Sequence, residues 1–410
     1  MSTTTDPAAA SAPTPVSQRA LAPDLARGLM LLFIALAHVP YYLFTADTGL
    51  AGVHPADGGL ADRIAQAVTI TTVDARAYPL FALLFAYGIG QMYSRQISRG
   101  ASPADVRRML RTRNLWMIAF GLVHATLLFF GDILGAYGLM GLVFVPLFLN
   151  RSDRVLKVWI GVLLGLAALV SVAATALMTL TPGGAGAERL ATAEPGYLAS
   201  ILYRLTLWLP SLVSPFIMLV LPAAFLLGLL TARHRILEEP GRHLPLLRRT
   251  AVVGIAVGWS GGLVQALVHV GALTLPGAPD LLMLHNYTGF FAGIGYAAVF
   301  ALVAHRITTA GTDPLPVRAL VALGRRSMSG YLAQSVVWAG LLAASGLALG
   351  AHLSSWSAMG VGIATWLATV VAAYAMDRAG IRGPAETALR KLTYRSVRRA
   401  GPKATATTTA

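Results

Sequence analysis

The sequence contains no cysteine and little charge. Without cysteine there is no disulfide, no thiolate nucleophile, no iron–sulfur cluster and no cysteine-ligated zinc. Charged residues make up 12% of the 410 positions, roughly half the share of about 25% found in soluble domains. Hydrophobic residues make up 56%, and the mean hydropathy is +0.66. That balance excludes a disordered chain and argues against an ordinary soluble enzyme. Lysine is nearly missing as well: of 32 basic residues only 3 are lysine. With abundant alanine, glycine and leucine, the arginine bias points to a GC-rich bacterial genome.

What is present is a series of long apolar runs. Ten are read, at 25–46, 76–94, 114–131, 133–150, 156–180, 211–232, 250–275, 281–304, 327–349 and 355–377. Most reach the length of about 20 residues needed to cross a bilayer. The third and fourth are separated only by Gly131-Asp132, which predicts a tight helical hairpin with Asp132 as the cap of the second helix. Pro215 and Pro222 predict a kink or break in the sixth run. Ala35-Leu36-Ala37 resembles a signal-peptidase site, but Asp24 falls in the would-be basic region and the apolar run continues to Phe44, so a retained first span is expected.

The net charge of +15 invites a nucleic-acid reading, which the distribution of the charge removes. With the N-terminus inside, 28 of the 32 basic residues fall in inside segments, and Arg63, Arg76, Arg189 and Arg204 fall outside. The acidic residues split almost evenly. This is the positive-inside pattern, which counts basic residues only. The expectation is an all-α polytopic transmembrane helix bundle of about ten spanning helices, with both termini cytoplasmic in a bacterial plasma membrane. Its partner is the lipid bilayer and not nucleic acid. Residues 1–18 and 400–410 read as disordered cytoplasmic tails around one membrane domain, 19–399.

Two inside segments read as surface helices. Ser102-Pro103-Ala104-Asp105 is a helix start, with a capping serine, proline at the first position and a carboxylate at the third. Arg107, Arg108, Arg111 and Arg113 follow it, and suit either lipid headgroups or the phosphates of a cytoplasmic donor. The second segment, 385–399, carries Arg390, Lys391, Arg395, Arg398 and Arg399. In the outside loop 47–75, LADRIAQAVTITT reads as a short helix. In loop 181–210, Tyr197, Tyr203 and Trp208 suit an interfacial helix. Gly289 and Gly293 read as a helix-packing pair.

Ionisable groups inside the membrane are costly, and each is a functional candidate. Arg27 and His38 are 11 positions apart, almost three helical turns, so they share a face over roughly 16 Å. Asp24 can pair with Arg27. His124 and Asp132 lie in the outer half of the third span and the hairpin. His269, with Gln265 one turn before it, and His285 lie on the same side. The four histidines are therefore at similar depth on four helices, and depth alone leaves open whether they share one polar pocket. No metal site is read, because no histidine pair has i,i+4 spacing and no carboxylate pair accompanies them.

Several strings carry a resemblance: Asp24-Leu-Ala-Arg27-Gly28-Leu; Phe81-Ala-Leu-Leu-Phe85-Ala-Tyr-Gly88-Ile-Gly90; Arg107-Arg108 with Gly121-Leu-Val-His124 and Gly131-Asp132-Ile-Leu134; Gly324-Arg-Arg-Ser327-Met-Ser-Gly-Tyr331-Leu-Ala-Gln334-Ser335; and Arg382-Gly383-Pro384-Ala-Glu386 with Arg390-Lys-Leu-Thr-Tyr394. They span almost the whole chain in order, and the chain resembles the YeiB-like domain-of-unknown-function 418 family of bacterial multi-pass membrane proteins. That family is similar to a larger group of transmembrane acyltransferases, which move an acyl group from a cytoplasmic donor to an extracytoplasmic or envelope acceptor. In that group a basic residue precedes a catalytic histidine by the spacing of Arg27 and His38. YeiB-like sequences often carry asparagine at the position of His38.

The resemblance implies catalysis by His38, supported by His124 and Asp132. It implies an acyl donor such as acyl-CoA, a co-substrate and not a tightly bound cofactor, held by Arg27, Arg107, Arg108 and Arg111. Two other readings fit the sequence. One is a small-solute transporter or exporter, favoured by the proline-broken span and the histidines but lacking a visible inverted repeat. The other is a non-catalytic membrane scaffold or sensor. The acyltransferase reading expects His38, His124 and Asp132 to line one cavity that opens near Arg27.

Overall fold

A computed structural model describes residues 20–178, 187–275 and 281–399. The expected tails, 1–18 and 400–410, lie outside the described residues. Fifteen α-helices account for most of the described chain, and its one β-type pairing is an isolated bridge between Thr48 and Pro55. Seven helical segments are long and apolar enough to cross a membrane, among them Leu21–Tyr42, Leu60–Ser98 and Asp153–Leu177. Ile133–Phe148, Val220–Arg233 and Leu315–Gly324 are apolar but shorter.

The helices are α1 (Leu21–His38), α2 (Leu60–Thr72), α3 (Ala77–Ser98), α4 (Pro103–Leu127), α5 (Ile133–Phe148), α6 (Asp153–Met178), α7 (Ala187–Ala193) and α8 (Tyr197–Ile217). They continue with α9 (Val220–Arg233), α10 (Leu244–His269), α11 (Leu282–Thr309), α12 (Leu315–Gly324), α13 (Ser327–Leu341), α14 (Ser355–Arg378) and α15 (Pro384–Arg399). The core is built from α1, α3, α4, α5, α9 and α11, and the short α9 is buried along almost its whole length. By contrast α6 turns most of its apolar side chains outward, including Leu166, Leu169 and Val172, as a lipid-facing helix does.

The short α2 and the hairpin at Gly131-Asp132 form as expected. Ser102 caps α4 by accepting a hydrogen bond from the Asp105 amide at 3.1 Å, with Pro103 in the first turn. Three expectations change. The basic segment at 103–113 is not a separate surface helix; it runs without a break into the third span as α4. Residues 197–210 belong to α8, and the sixth apolar run is divided between α8 and α9. The break falls at Leu219, with φ +42°, between Pro215 and Pro222. The two prolines therefore flank a break, one of the two outcomes they predict. The ninth run stops being α-helical at Leu341.

Small residues set the closest crossings. A Cβ on Gly28 would meet the Leu320 carbonyl oxygen at 2.1 Å, and one on Gly324 would meet the Asp24 carbonyl oxygen at 1.8 Å. Glycine at these two positions lets α1 and α12 touch backbone to backbone. Gly289 and Gly293 pack α11 against the start of α3 in the same way, as a packing pair. Three of the four arginines read as outside are buried and spent on backbone: Arg76 on the carbonyls of Asp74 and Gly258, Arg189 on those of Ala46 and Val53, and Arg204 on that of Thr126. Burial pushes the Arg189 guanidinium below its ordinary range. Arg189 and Arg204 hold loop and helix-end carbonyls, and Arg76 ties the start of α3 to the middle of α10.

Candidate functional site: an arginine-lined cavity and a buried His–Asp pair

A cavity of about 400 Å³ opens at the arginine-rich end of the bundle, between α1, α3, α4, α13 and α15. Seven arginines and three carboxylates line it. Some of these charges cancel. Arg27 donates to Asp24 at 3.2 Å and to the Leu84 carbonyl at 3.3 Å. Arg326 donates to Asp377 at 2.9 Å, and Arg325 lies 3.7 Å from Asp24. Arg95 pairs with Glu238 at 2.9 Å. Glu386 is occupied as the cap of α13, accepting from the amides of Met328 at 2.7 Å and Ser329 at 3.1 Å and from the Ser329 hydroxyl at 2.5 Å.

That leaves Arg113, Arg382 and Arg390, for which no ion pair is found among the described residues. Arg113 stacks over the Phe85 ring at 5.2 Å. Burial and the neighbouring Arg382 lower the Arg390 guanidinium below its ordinary range. Tyr394 stands close by, its phenol raised by burial. Deeper in, the walls become apolar, with Met30, Leu31, Leu84, Met117 and Ile133. The cavity thus has a cationic mouth and an oily floor. Such a shape fits an amphiphile with an anionic head.

Tyr331, on α13, forms part of the floor. Its ring also packs against His124 at 4.9 Å and His38 at 6.3 Å between centroids, and its hydroxyl donates to the Gly131 carbonyl at 3.3 Å. Behind it, His124 Nε2 shares a 2.9 Å hydrogen bond with the Ser335 hydroxyl. Asp132 Oδ1 lies 3.1 Å from His124 Nδ1, with both side chains fully buried. That contact is close enough for an ion pair but is not aligned as a hydrogen bond. Asp132 also caps α5, accepting from Leu134 N at 3.1 Å and Gly135 N at 2.6 Å, and Trp208 Nε1 donates to it at 3.4 Å. Gly121 makes this possible, since a Cβ there would meet Asp132 Oδ2 at 2.2 Å. His38 sits in a nest of rings: Phe129 at 4.9 Å, Trp338 at 6.2 Å, and Tyr41 and Tyr331 at 6.3 Å.

The candidate residues are therefore placed as follows. His38, His124 and Asp132 come together, but they do not line the cavity; Tyr331 lies between them and it. Arg27 lines the cavity. Arg107, Arg108 and Arg111 are exposed on α4 and point elsewhere, and Arg113 is the arginine of that helix that reaches the cavity.

The four histidines of similar depth divide into two groups. His269 and His285 belong to a second buried cluster. There Arg76 lies 3.1 Å from His285 Nε2, His54 meets Asp74 at 2.6 Å, and Ala51 N donates to His269 Nδ1 at 3.1 Å. Equal depth does not set azimuth around the bundle. Among the described residues, no group of three or more His, Cys, Asp or Glu side chains is arranged to hold a metal ion. Ser335, Tyr331, Arg382 and Arg390 were carried within the family-like strings without a role. Their signal was position in those strings.

The helices and their apolar faces define an integral membrane protein of the polytopic all-helical class. Residues 231–396 match the family model described as "Protein of unknown function (DUF418)", in line with the resemblance to the YeiB-like DUF418 family. It is similar to "Uncharacterized protein YxaH" of Bacillus subtilis (strain 168), 25% identical over 414 residues that cover 94% of this chain and 96% of the other. It is also similar to "Uncharacterized protein YeiB" of Escherichia coli (strain K12), 24% identical over 412 residues, 92% and 94% of the two chains.

Proposed function

We propose that the protein is a membrane acyltransferase of the bacterial plasma membrane. It takes an acyl group from a phosphorylated donor at the cytoplasmic side and passes it to an extracytoplasmic or envelope acceptor. One observation carries this reading: a cavity with a cationic mouth and an apolar floor ends on Tyr331, whose ring touches both His38 and His124. Arg113, Arg382 and Arg390, with Arg27, hold the donor phosphates. The acyl chain lies along Met30, Leu31 and Met117. The donor is acyl-CoA, a co-substrate.

The chemistry follows from the two imidazoles. Once the Tyr331 ring turns aside from between His38 and the cavity, His38 accepts the proton of the acceptor hydroxyl as its oxygen attacks the thioester carbon. The carbon–sulfur bond breaks, and the thiolate leaves with the proton that His38 took from the acceptor, which returns the imidazole to its neutral form. His124, fixed between Ser335 and Asp132, holds the second position at the reacting centre and balances charge there. The test is transfer of labelled acyl from acyl-CoA by the purified protein in lipid. Transfer is expected in the wild type and abolished by His38→Ala. A wild-type protein inert across a panel of short and long acyl donors would sink the idea.

A second reading, transport of a small anionic solute, is favoured by the helix break at Leu219 in the middle of the bundle. Proton-coupled uptake into vesicles without any acyl donor distinguishes it.

A further inference from the structure

A separate groove lies between the start of α10 and the end of α11, and it shares no lining residue with the arginine-lined cavity. The sequence explains why the two helices part there. Along most of α10 the contact face is glycine. A Cβ on Gly254 would meet the Phe291 carbonyl oxygen at 2.4 Å, one on Gly258 would meet the Ala292 Cβ at 2.3 Å, and one on Gly261 would meet the Thr288 hydroxyl at 2.2 Å. From 244 to 253 there is no glycine. Leu244 and Arg248 on α10 face Leu302, His305 and Arg306 on α11, and these side chains hold the helices apart.

The groove is basic and uncompensated. Arg248 and Arg306 are exposed, and neither makes an ion pair among the described residues. The nearby carboxylates are already engaged: Glu239 with Arg235 and Arg242, and Asp313 with Arg318. One helical turn further into the bundle, Val252 follows Arg248 and Val303 precedes Arg306, and both valines are exposed. Two guanidiniums and an imidazole thus stand at the end of an outward-facing apolar strip.

We propose that this groove is a headgroup site for an anionic phospholipid. Arg248 and Arg306 bind the phosphate with His305 beside it, and the acyl chains run along Val252 and Val303. Basic pockets between membrane helices recognise such headgroups by this combination of charge and adjoining hydrocarbon. A free phosphate would use the arginines but gain nothing from the valines. The apolar strip is therefore what commits the site to a lipid. The proposal does not depend on the acyl-transfer reading, since no residue of the cavity takes part.

Native mass spectrometry of the full-length protein tests it, with phosphatidylglycerol and phosphatidylcholine offered in turn. Wild type is expected to retain phosphatidylglycerol in preference to phosphatidylcholine. The double variant R248Q/R306Q is expected to bind it on the order of tenfold more weakly, because each basic side chain contributes to anionic-lipid attraction. R248K/R306K keeps the charge and should stay close to wild type. R107Q/R111Q, which removes two exposed arginines of α4, should change nothing. If the glutamine pair does not fold, the single exposed-site variant Arg306→Gln carries the same expectation at about threefold. Equal retention by R248Q/R306Q and R107Q/R111Q overturns the site. Displacement of phosphatidylglycerol by equimolar glycerol 3-phosphate overturns the lipid assignment and leaves a site for the free phosphate.

Discussion

His124 and Asp132 meet at 3.1 Å with both side chains withdrawn from solvent, at the point where α4 turns into α5. The carboxylate faces two ways. It charge-balances the imidazole and caps the second helix of the hairpin. Those two roles separate under mutation.

Asp132→Ala removes the cap and the charge together. A lost cap costs about 1–2 kcal/mol, and His124 also loses its anionic neighbour. Asp132→Asn removes the charge but keeps one of the two oxygens that accept from the Leu134 and Gly135 amides. Thermal unfolding in detergent, followed by tryptophan fluorescence, should show the larger fall for Asp132→Ala. Acyl transfer should fall in both. If both unfold alike, the cap contributes nothing.

At Gly28 and Gly324 an added methyl would strike backbone rather than a side chain that can rotate away. Gly28→Ala or Gly324→Ala should therefore destabilise by roughly 1–3 kcal/mol or more, as overpacking does. Gly161→Ala is the control, since a Cβ there meets nothing within 4 Å. Monodispersity and thermal midpoint read the difference.

Neutralising Arg113, Arg382 or Arg390 should weaken coenzyme A binding by roughly tenfold each, the value of one hydrogen bond to a charged group. Glutamine at Arg107, Arg108 or Arg111 should leave it unchanged, because those side chains point away from the cavity. Equilibrium binding at two salt concentrations checks both halves. The affinity lost with salt should shrink in the first set of variants.

The chain has no native cysteine, so single cysteines report accessibility without background. Met92→Cys, at the cavity wall and partly exposed, should react with a charged thiol reagent applied from the arginine-rich side. His38→Cys should not react unless Tyr331→Ala is added, because the Tyr331 ring stands against His38. Equal labelling of His38→Cys with and without the tyrosine would place the barrier elsewhere.

Much of the fold was legible because it rests on local rules. Ser102-Pro103 and Gly131-Asp132 are capping chemistry, and both caps form as read. The limits of the apolar runs were less legible. The break between Pro215 and Pro222 was legible, but not the residue at which it falls, Leu219 with positive φ. The site was legible in part. His38, His124 and Asp132 were selected by cost in lipid, and they do come together. What the sequence could not supply was rotation about each helix axis. Arg113 and Arg111 are two positions apart on α4, and only Arg113 faces the cavity. His269 and His285 share depth with His124, yet they belong with Arg76 and His54. The strings Asp24–Gly28 and Gly324–Ser335 meet in space, Gly324 on Asp24 and Arg325 beside its carboxylate.

The buried α9 also constrains how the molecule is made. Its 14 residues extend about 21 Å, short of the roughly 30 Å hydrocarbon layer. Almost none of its surface is left for lipid; Gly228 sits against the Leu83 carbonyl and Gly90 against Ala232. A segment of that kind gains little from entering a bilayer by itself. Its favourable environment is a slot formed largely by α3, which leaves the ribosome more than a hundred residues earlier. Insertion of α9 is therefore a late docking event, and the order of synthesis, with α3 waiting for its partner, becomes part of the information that specifies the bundle.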